Sequence, residues 1–368
     1  MKEIQSCKRC LINSSIPGTK FNIKGLCNYC EEFDSKIGYY QFTPEKEKEN
    51  IDNMFAKVKS HRSRSGYDSI IGLSGGVDSS YVALLAKEYG LNPLCIHFDN
   101  GWNSELAVSN IHSIVNKCGF DLNTYVIDWE EFRDLQRSFL KAGVVDLELL
   151  SDHAIFASLY KIRKQFNIKY ILSGTNFITE HGMPMEWIWH KTDLTNIKSI
   201  QKKFGQKKIK SFPTINSFKW VLSRKFGLFG EFLEPLNIIN YNKFNAINEL
   251  TEKLGWRSYG EKHQESIITR FYQGYILPVK FNIDKRIIHY SALIRSEEMK
   301  KNDALEALKK SPYNESLIQS DKEYVCKKLG FSESEFDDLM SQVPVPHAVY
   351  GTDRKLFNLL SSLYKKIK

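Results

Sequence analysis

The sequence lacks any apolar run near the ~18–20 residues that cross a bilayer. Its opening residues, MKEIQSCKRC, have no apolar core of the signal-peptide kind. These two absences give a cytoplasmic protein with no transmembrane segment as the expectation. Internal repeats and low-complexity tracts are also missing, so nothing indicates a solenoid or a disordered linker. Charge of one sign is scarce: the net value is +9 over 368 residues. That permits an anionic partner without selecting one. The lysines of QKKFGQKKIK (201–210) and of the YKKIK tail read as solvated faces, and no nucleic acid is expected as a partner. Cysteine is sparse beyond residue 30, where only Cys95, Cys118 and Cys326 occur, two of them in apolar surroundings that suit buried side chains. Without a secretory signal, a disulfide framework is not expected.

What is present is an ordinary globular balance, 42% hydrophobic and 26% charged, in a chain long enough for two domains and appendages. Four of the seven cysteines stand as Cys7-x-x-Cys10 and Cys27-x-x-Cys30, with sixteen residues between the pairs. That spacing matches a structural Zn²⁺ site of four thiolates, and an iron–sulfur cluster is the alternative. A closed four-thiolate site leaves no position for a substrate.

The chain divides into four stretches: a cysteine module (1–38), a connecting helix (39–66), a region of alternating strands and helices (67–245), and a mainly helical C-terminal region (246–368). Thr43 and Pro44 mark the start of the connecting helix. From Tyr67, strands are predicted at SIIGLS, PLCIHFD, LNTYVID and KYILSG, with a fifth near EPLNIIN (234–240). Helices follow the first two strands, and a long helical region covers 129–166. Short apolar strands separated by helices predict an α/β fold, a doubly wound and mostly parallel five-stranded sheet. After about residue 245 helices are expected at 242–256, 297–309 and 320–342, with KFNIDKR (280–286) as an unusual polar segment.

The chemistry-bearing string is SGGVDSS (74–80), between the first strand and its helix. Gly75 and Gly76 allow a turn that brings backbone N–H groups to phosphate oxygens. The helix starting at Val77 offers its positive end, and Ser74, Ser79 and Ser80 add hydroxyls. Asp78 would repel bare phosphate, so it suggests either Mg²⁺ or a capping role. A Walker A loop is excluded because no lysine closes the string. A dinucleotide fingerprint is excluded because the glycines are adjacent.

SGGVDSS resembles the PP-loop of the N-type ATP pyrophosphatases, a superfamily that includes synthetase domains for GMP, asparagine and NAD and several tRNA-modifying enzymes. The resemblance implies ATP cleaved between its α and β phosphates, with an oxygen adenylylated and then displaced by nitrogen or sulfur. It also implies that His97, Phe98 and Asp99, and then Ser173, Gly174, Thr175 and Asn176, lie around the nucleotide at the ends of the second and fourth strands. Three further segments, GTNFITEHGMPMEWIWHKTD (174–193), residues 256–296 and CKRC…CNYC, resemble the N-acetyl sugar amidotransferase family of bacterial surface-polysaccharide (lipopolysaccharide O-antigen and related) biosynthesis. That resemblance implies conversion of an N-acetyl group on a nucleotide-linked sugar into an acetamidino group.

On that reading, Lys285, Arg286 and Lys280 are candidates for neutralising the ATP phosphates; a solvated charge cluster is the plainer alternative. Asn176, Glu180, His181 and Asp193 are candidates for binding the sugar, and His153 and His190 are more simply structural. No cysteine has the flanking glycines of a glutaminase nucleophile, so ammonia is expected from a separate glutaminase subunit. The aromatic and basic segment 212–232 is either a cover over the pocket or a docking surface for that partner or for a membrane. The competing reading is tRNA thiolation, which also joins a PP-loop to CxxC pairs; a nucleotide-binding scaffold without catalysis is a third.

Overall fold

The computed structural model describes residues 4–225, 230–259 and 265–367. Phe226 and Phe229 of the 212–232 segment and residues 260–264 therefore lie outside the described residues, as do several side chains of the tail. Five strands form one sheet: β1 Ser69–Gly72, β2 Pro93–Asp99, β3 Asp121–Val126, β4 Tyr170–Leu172 and β5 Glu231–Leu233. Their order is β3-β2-β1-β4-β5, and every pairing is parallel. The fifth strand precedes the predicted segment: residues 235–237 form a 3-10 turn begun by Pro235, which has no N–H to offer a ladder.

Side-chain alternation explains why the sheet is covered on both faces. Ile71, Leu73, Cys95 and Leu172 point into one buried cluster, while Ile70, Leu94, Ile96 and Ile171 point into another. A helix of the cysteine module, α1 (Asn28–Lys36), precedes the sheet in the chain, and the first face of the sheet is covered by α2 (Pro44–Lys59), α3 (Val77–Glu88) and α4 (Glu105–Cys118). Helix α2 starts as the sequence predicts, with Thr43 Oγ1 accepting from the Lys46 amide and Pro44 in the first turn. The predicted helix over 129–166 is two helices, α5 (Trp129–Ala142) and α6 (Leu149–Gln165). Gly143 ends α5 in the left-handed conformation, φ +66°, which glycine adopts without a Cβ clash. The short connection it creates carries Asp146 and Glu148.

The remaining chain is helical. It runs through α7 (Phe177–Glu180), α8 (Leu194–Phe204), α9 (Ser217–Lys225) and α10 (Lys243–Leu254). Next, α11 (Ile267–Phe271) and α12 (Leu277–Phe281) are joined by a π-helical turn at Tyr272–Ile276, and α13 (Arg286–Arg295) follows. The rest is α14 (Lys301–Lys309), α15 (Glu315–Leu329), α16 (Glu333–Ser341) and α17 (Arg354–Ile367). The predicted helix over 320–342 is again two. Gly330 ends α15 at φ +75°, and a Ser332–Glu335 capping box opens α16. Within 212–232, Trp220 packs on Phe156, Tyr160 and Phe232, so the described part of this segment lies over α6 and β5.

Asp193, a candidate sugar ligand, is instead fully buried. It caps α8 by accepting from the Asn196 amide and also takes hydrogen bonds from Trp189 Nε1 and Thr352 Oγ1. Asp193→Ala removes an N-cap and leaves buried donors unpaired. It should cost about 2–4 kcal/mol, measured by urea denaturation.

Candidate functional site

The strand order reverses between β1 and β4: the chain steps outward from β1 to β2 and β3, then returns to place β4 on the other side. Crevices at the carboxyl ends of strands at such a reversal are where open α/β sheets bind ligands. The SGGVDSS loop leaves β1 at this point, and Ser173–Asn176 leaves β4 beside it. The loop is built by backbone approach. Gly75 has φ +82°, and a Cβ there would meet the Tyr259 hydroxyl at 2.8 Å and the Ala107 carbonyl at 2.9 Å. Its own carbonyl accepts from Trp256 Nε1 (2.8 Å) and Tyr259 (2.9 Å). A Cβ on Gly174 would lie 2.8 Å from the backbone of Asp78 and Ser79. Ser74 and Ser79 hydrogen-bond within the loop, whereas Ser80 is buried and donates to the Gly76 carbonyl. Gly76, as the N-cap of α3, has no side chain to satisfy the first amides, so they present donors and the positive helix end to the cavity.

That cavity has a volume of about 280 Å³ and is bounded by Ser74, Gly76–Ser79, Ser173–Thr175, Glu180 and Lys243. Asp78 lies on its wall, where its Oδ1 accepts from the Tyr241 hydroxyl (2.6 Å) and from Asn176 Nδ2 (3.4 Å). Burial, and then the Asp78 charge, push the Tyr241 phenol well above its ordinary value, so it stays a donor. Ser74, Ser173, Gly174 and Glu265 also border a second cavity of about 500 Å³. The second cavity has an apolar side, including Ile96, Ile155, Phe156, Leu159 and Phe232, and a polar side of Glu148, Asp152, Lys191, Lys285 and His289. A third cavity, about 320 Å³, shares Lys243 with the first and Lys285 and His289 with the second.

The candidate residues separate clearly. His97 and Phe98 border the second cavity; His97 is buried, its ring bonded to the Leu73 carbonyl and Asn103, and burial lowers its basicity. Asp99 accepts from the Gly101 amide and Asn103, which shapes the turn after β2. Lys285 reaches the second and third cavities, with Nζ 3.1 Å from Glu148. Arg286 borders only the third, forked onto Asp284 and tied to the carbonyls of Lys310 and Ser311. Lys280 is drawn away from all three, its ammonium bonded to the Leu339 and Gln342 carbonyls at the end of α16. His181 faces the cysteine module, 3.4 Å from Glu32, and burial lowers it to about 4. His153, also about 4 through burial, is bonded to the Lys191 carbonyl and the Ile215 amide, and His190 packs on Phe357.

Sequence reasoning missed Trp256, Tyr259 and Tyr241, which brace the loop, and Glu148, Asp152 and Lys191. Nothing local marks these residues; the fold brings them in from four separate segments.

The four module cysteines converge as their spacing predicts. Their sulfurs lie within 4.8 Å of one another, with Cys7–Cys30 at 3.8 Å and Cys10–Cys27 at 3.6 Å. A tetrahedron with metal–sulfur bonds of ~2.3 Å requires sulfurs ~3.8 Å apart, so the donor set fits Zn²⁺. Hydrogen bonding with Cys27 and then Cys30 lowers the Cys10 thiol to about 6, and the Cys27 amide points at Cys7 Sγ (3.3 Å). The module is stitched to α13 and α14: Arg9 donates to the Arg295 carbonyl, the Leu11 amide to Ser291, and Lys301 to the Cys7 carbonyl. By contrast, burial pushes Cys95 up to about 12 and Cys118 and Cys326 to about 11.

Elemental analysis of the purified protein should find one metal per chain with no visible absorption; a coloured protein would identify an iron–sulfur cluster instead. In the loop, Gly75→Ala must displace backbone as well as Tyr259. It should weaken binding of a fluorescent ATP analogue by about 100-fold, as expected when a ~3 kcal/mol backbone and steric cost falls on the bound loop.

Residues 265–365 match the family model described as the C-terminal domain of LPS biosynthesis protein WbpG-like. The chain is 29% identical over 286 residues to a glutamine-hydrolyzing GMP synthase of Thermosipho africanus, covering 74% of this chain and 48% of that protein. It is 28% identical over 131 residues to an uncharacterized protein of Methanocaldococcus jannaschii, covering 35% of this chain and 45% of that one. A tRNA(Ile)-lysidine synthase of Chlamydia pneumoniae is 24% identical over 136 residues, covering 36% of this chain and 40% of its own. The chain thus spans less than half the length of each of these curated relatives. The solved NMN synthetase of Francisella tularensis aligns at TM-score 0.37 and 14% identity, over 72% of this chain and 95% of that one, a score too low for a fold argument. The loop, the parallel sheet that presents it and these relatives place the chain in the PP-loop ATP pyrophosphatase superfamily, with a C-terminal segment similar to that of WbpG-like lipopolysaccharide biosynthesis proteins.

Proposed function

We propose that the protein is an ATP-dependent, AMP-forming amidotransferase. It activates the N-acetyl oxygen of a nucleotide-linked sugar by adenylylation and then admits ammonia, giving an acetamidino sugar for lipopolysaccharide O-antigen or related synthesis. The observation that carries this reading is that the phosphate-binding cavity and a larger cavity share Ser74, Ser173, Gly174 and Glu265. Adenylyl transfer needs two substrates to meet at the α-phosphate, one along the loop and one beside it. The match of residues 265–365 supports lipopolysaccharide chemistry, and those residues supply part of the second and third cavities.

An amide oxygen is a poor leaving group; esterified to AMP it departs readily. The first amides of α3, from Val77 to Ser79, hold the pyrophosphate and stabilise the charge that develops on it. Asp78 is the residue that would hold Mg²⁺, which when bound neutralises that charge further. Lys243, which borders the first and third cavities, replaces Lys280 as the described cation on the wall of the phosphate cavity. The four cysteines would hold Zn²⁺, which braces the module. Ammonia in this reading comes from a separate glutaminase subunit, because the isolated cysteines are buried thiols held protonated. The same observation weakens the thiolation alternative, which needs a thiolate beside the nucleotide. The reading places the protein in the cytoplasm, where nucleotide sugars and ATP are available.

Incubation with ATP, ammonium and UDP-diacetamido sugars should yield AMP and a product about one mass unit lighter, the difference between an amide oxygen and the NH group that replaces it. AMP release strictly dependent on tRNA would overturn the reading. Asp78→Ala should reduce AMP release by at least about 100-fold, the scale of losing one group that stabilises developing charge, with the thermal transition preserved.

A further inference from the structure

The adenylylated acceptor requires a second group that the loop does not supply. When ammonia attacks the activated carbon, its nitrogen gains a positive charge. A proton must leave that nitrogen before AMP is expelled and the amidine forms. We propose that Asp152 is the proton acceptor for the incoming nitrogen; this assignment rests on the reading above and adds a second catalytic residue to it.

Its position argues for this role. Asp152 lies in the first turn of α6, on the polar side of the 500 Å³ cavity that adjoins the loop at Ser74, Ser173 and Gly174. Its side chain keeps 41% of its accessible surface, although it lies deep in the fold, because that surface faces the cavity. The neighbouring acid behaves differently. Asp146 is 2% exposed; burial raises its carboxyl, but Lys191 (2.8 Å) and the Trp189 amide (2.7 Å) outweigh that and hold it below the ordinary range. Glu148 is taken up by Lys285 (3.1 Å) and Gln273. Among the described residues Asp152 pairs with Lys191 at 2.9 Å, and Lys191 is shared with Asp146.

The titratable groups around Asp152 are Asp146 and Glu148 from the connection before α6, Lys191 from the segment after β4, Lys285 and His289 at the start of α13, and His97 and Glu265 elsewhere on the same cavity. Burial, only partly offset by Lys191 and reinforced by Glu148 and Asp146, raises the Asp152 carboxyl above the ordinary carboxylate range. A raised value improves a carboxylate as a base, and a general base of this kind contributes about 10²–10⁴-fold. The step balances. The ammonia lone pair forms the C–N bond, one N–H proton passes to Asp152 Oδ, and the C–O bond to AMP then breaks with its electron pair leaving on AMP. Asp152 returns the proton to water in the open cavity.

The test separates the two halves of the reaction. Acceptor-dependent exchange of labelled pyrophosphate into ATP reports adenylylation, and amidine measured by mass spectrometry with added ammonium reports the nitrogen step. For Asp152→Asn the ratio of amidine formed to pyrophosphate exchanged should fall about 100-fold or more. With the rate expressed per free ammonia, whose fraction itself rises with pH, the increase that follows loss of the Asp152 proton should disappear. Asp152→Glu should restore both in part. An unchanged ratio, or an equal loss in both measurements, would overturn the assignment in favour of a binding or structural role. Loss of the native melting transition in both variants would do the same, making Asp152 a structural partner of Lys191. Failure of the wild-type protein to exchange pyrophosphate with any acceptor is a different result: it sinks the amidotransferase reading itself, and this assignment with it.

Discussion

The arrangement depends on one steric condition: two backbones must approach without a Cβ between them. At Gly174 the end of β4 lies against the first turn of α3, and at Gly75 the loop passes under Tyr259 and the Ala107 carbonyl. These contacts close the gap at the point where strand order reverses. They hold the first amides of α3 facing outward, toward the cavity rather than toward a capping side chain. The aromatic brace of Trp256 and Tyr259 on the Gly75 carbonyl is a consequence of the same constraint. A carbonyl turned inward by a left-handed glycine has to find donors, because an unpaired buried polar group costs about 1–3 kcal/mol.

The second organising feature is the treatment of charge around the larger cavity. Several ionisable side chains border that space and pair locally, Lys285 with Glu148 and Lys191 with Asp152, while Lys191 also holds Asp146. Paired charges tolerate a partly dehydrated wall far better than isolated ones. Ile155, Phe156, Leu159 and Phe232 add apolar surface to the same lining, so the cavity joins apolar and charged walls.

Much of the sheet was legible because its signals are local. The strand at PLCIHFD matches residue for residue, and Thr43–Pro44 and Gly119 mark helix ends by capping chemistry. The cysteine spacing likewise reports a convergence that the structure contains. Expectations failed where a single glycine overrides periodicity: Gly143 and Gly330 each divide one apolar pattern into two helices. At the site, SGGVDSS carries its own geometry in its composition. The polar side of the larger cavity does not, because Glu148, Lys191 and His289 meet only after the chain has folded. Charged residues that looked functional by density, Lys280 and Asp193, instead cap helices, a role that needs the same side chains and leaves the same trace in a sequence.

The stitching of the cysteine module to α13 has a thermodynamic consequence. The Arg9 and Leu11 contacts reach the later turns of the helix whose first turn presents Lys285 and His289 to the larger cavity. A metal that binds only the folded module therefore adds its binding free energy to the stability of that helix, in proportion to the logarithm of free metal over its dissociation constant. By reciprocity, an acceptor that orders the cavity side of α13 tightens the hold on the metal at the other end. On the proposed reading, metal at the module and ligand in the larger cavity become two variables of one equilibrium.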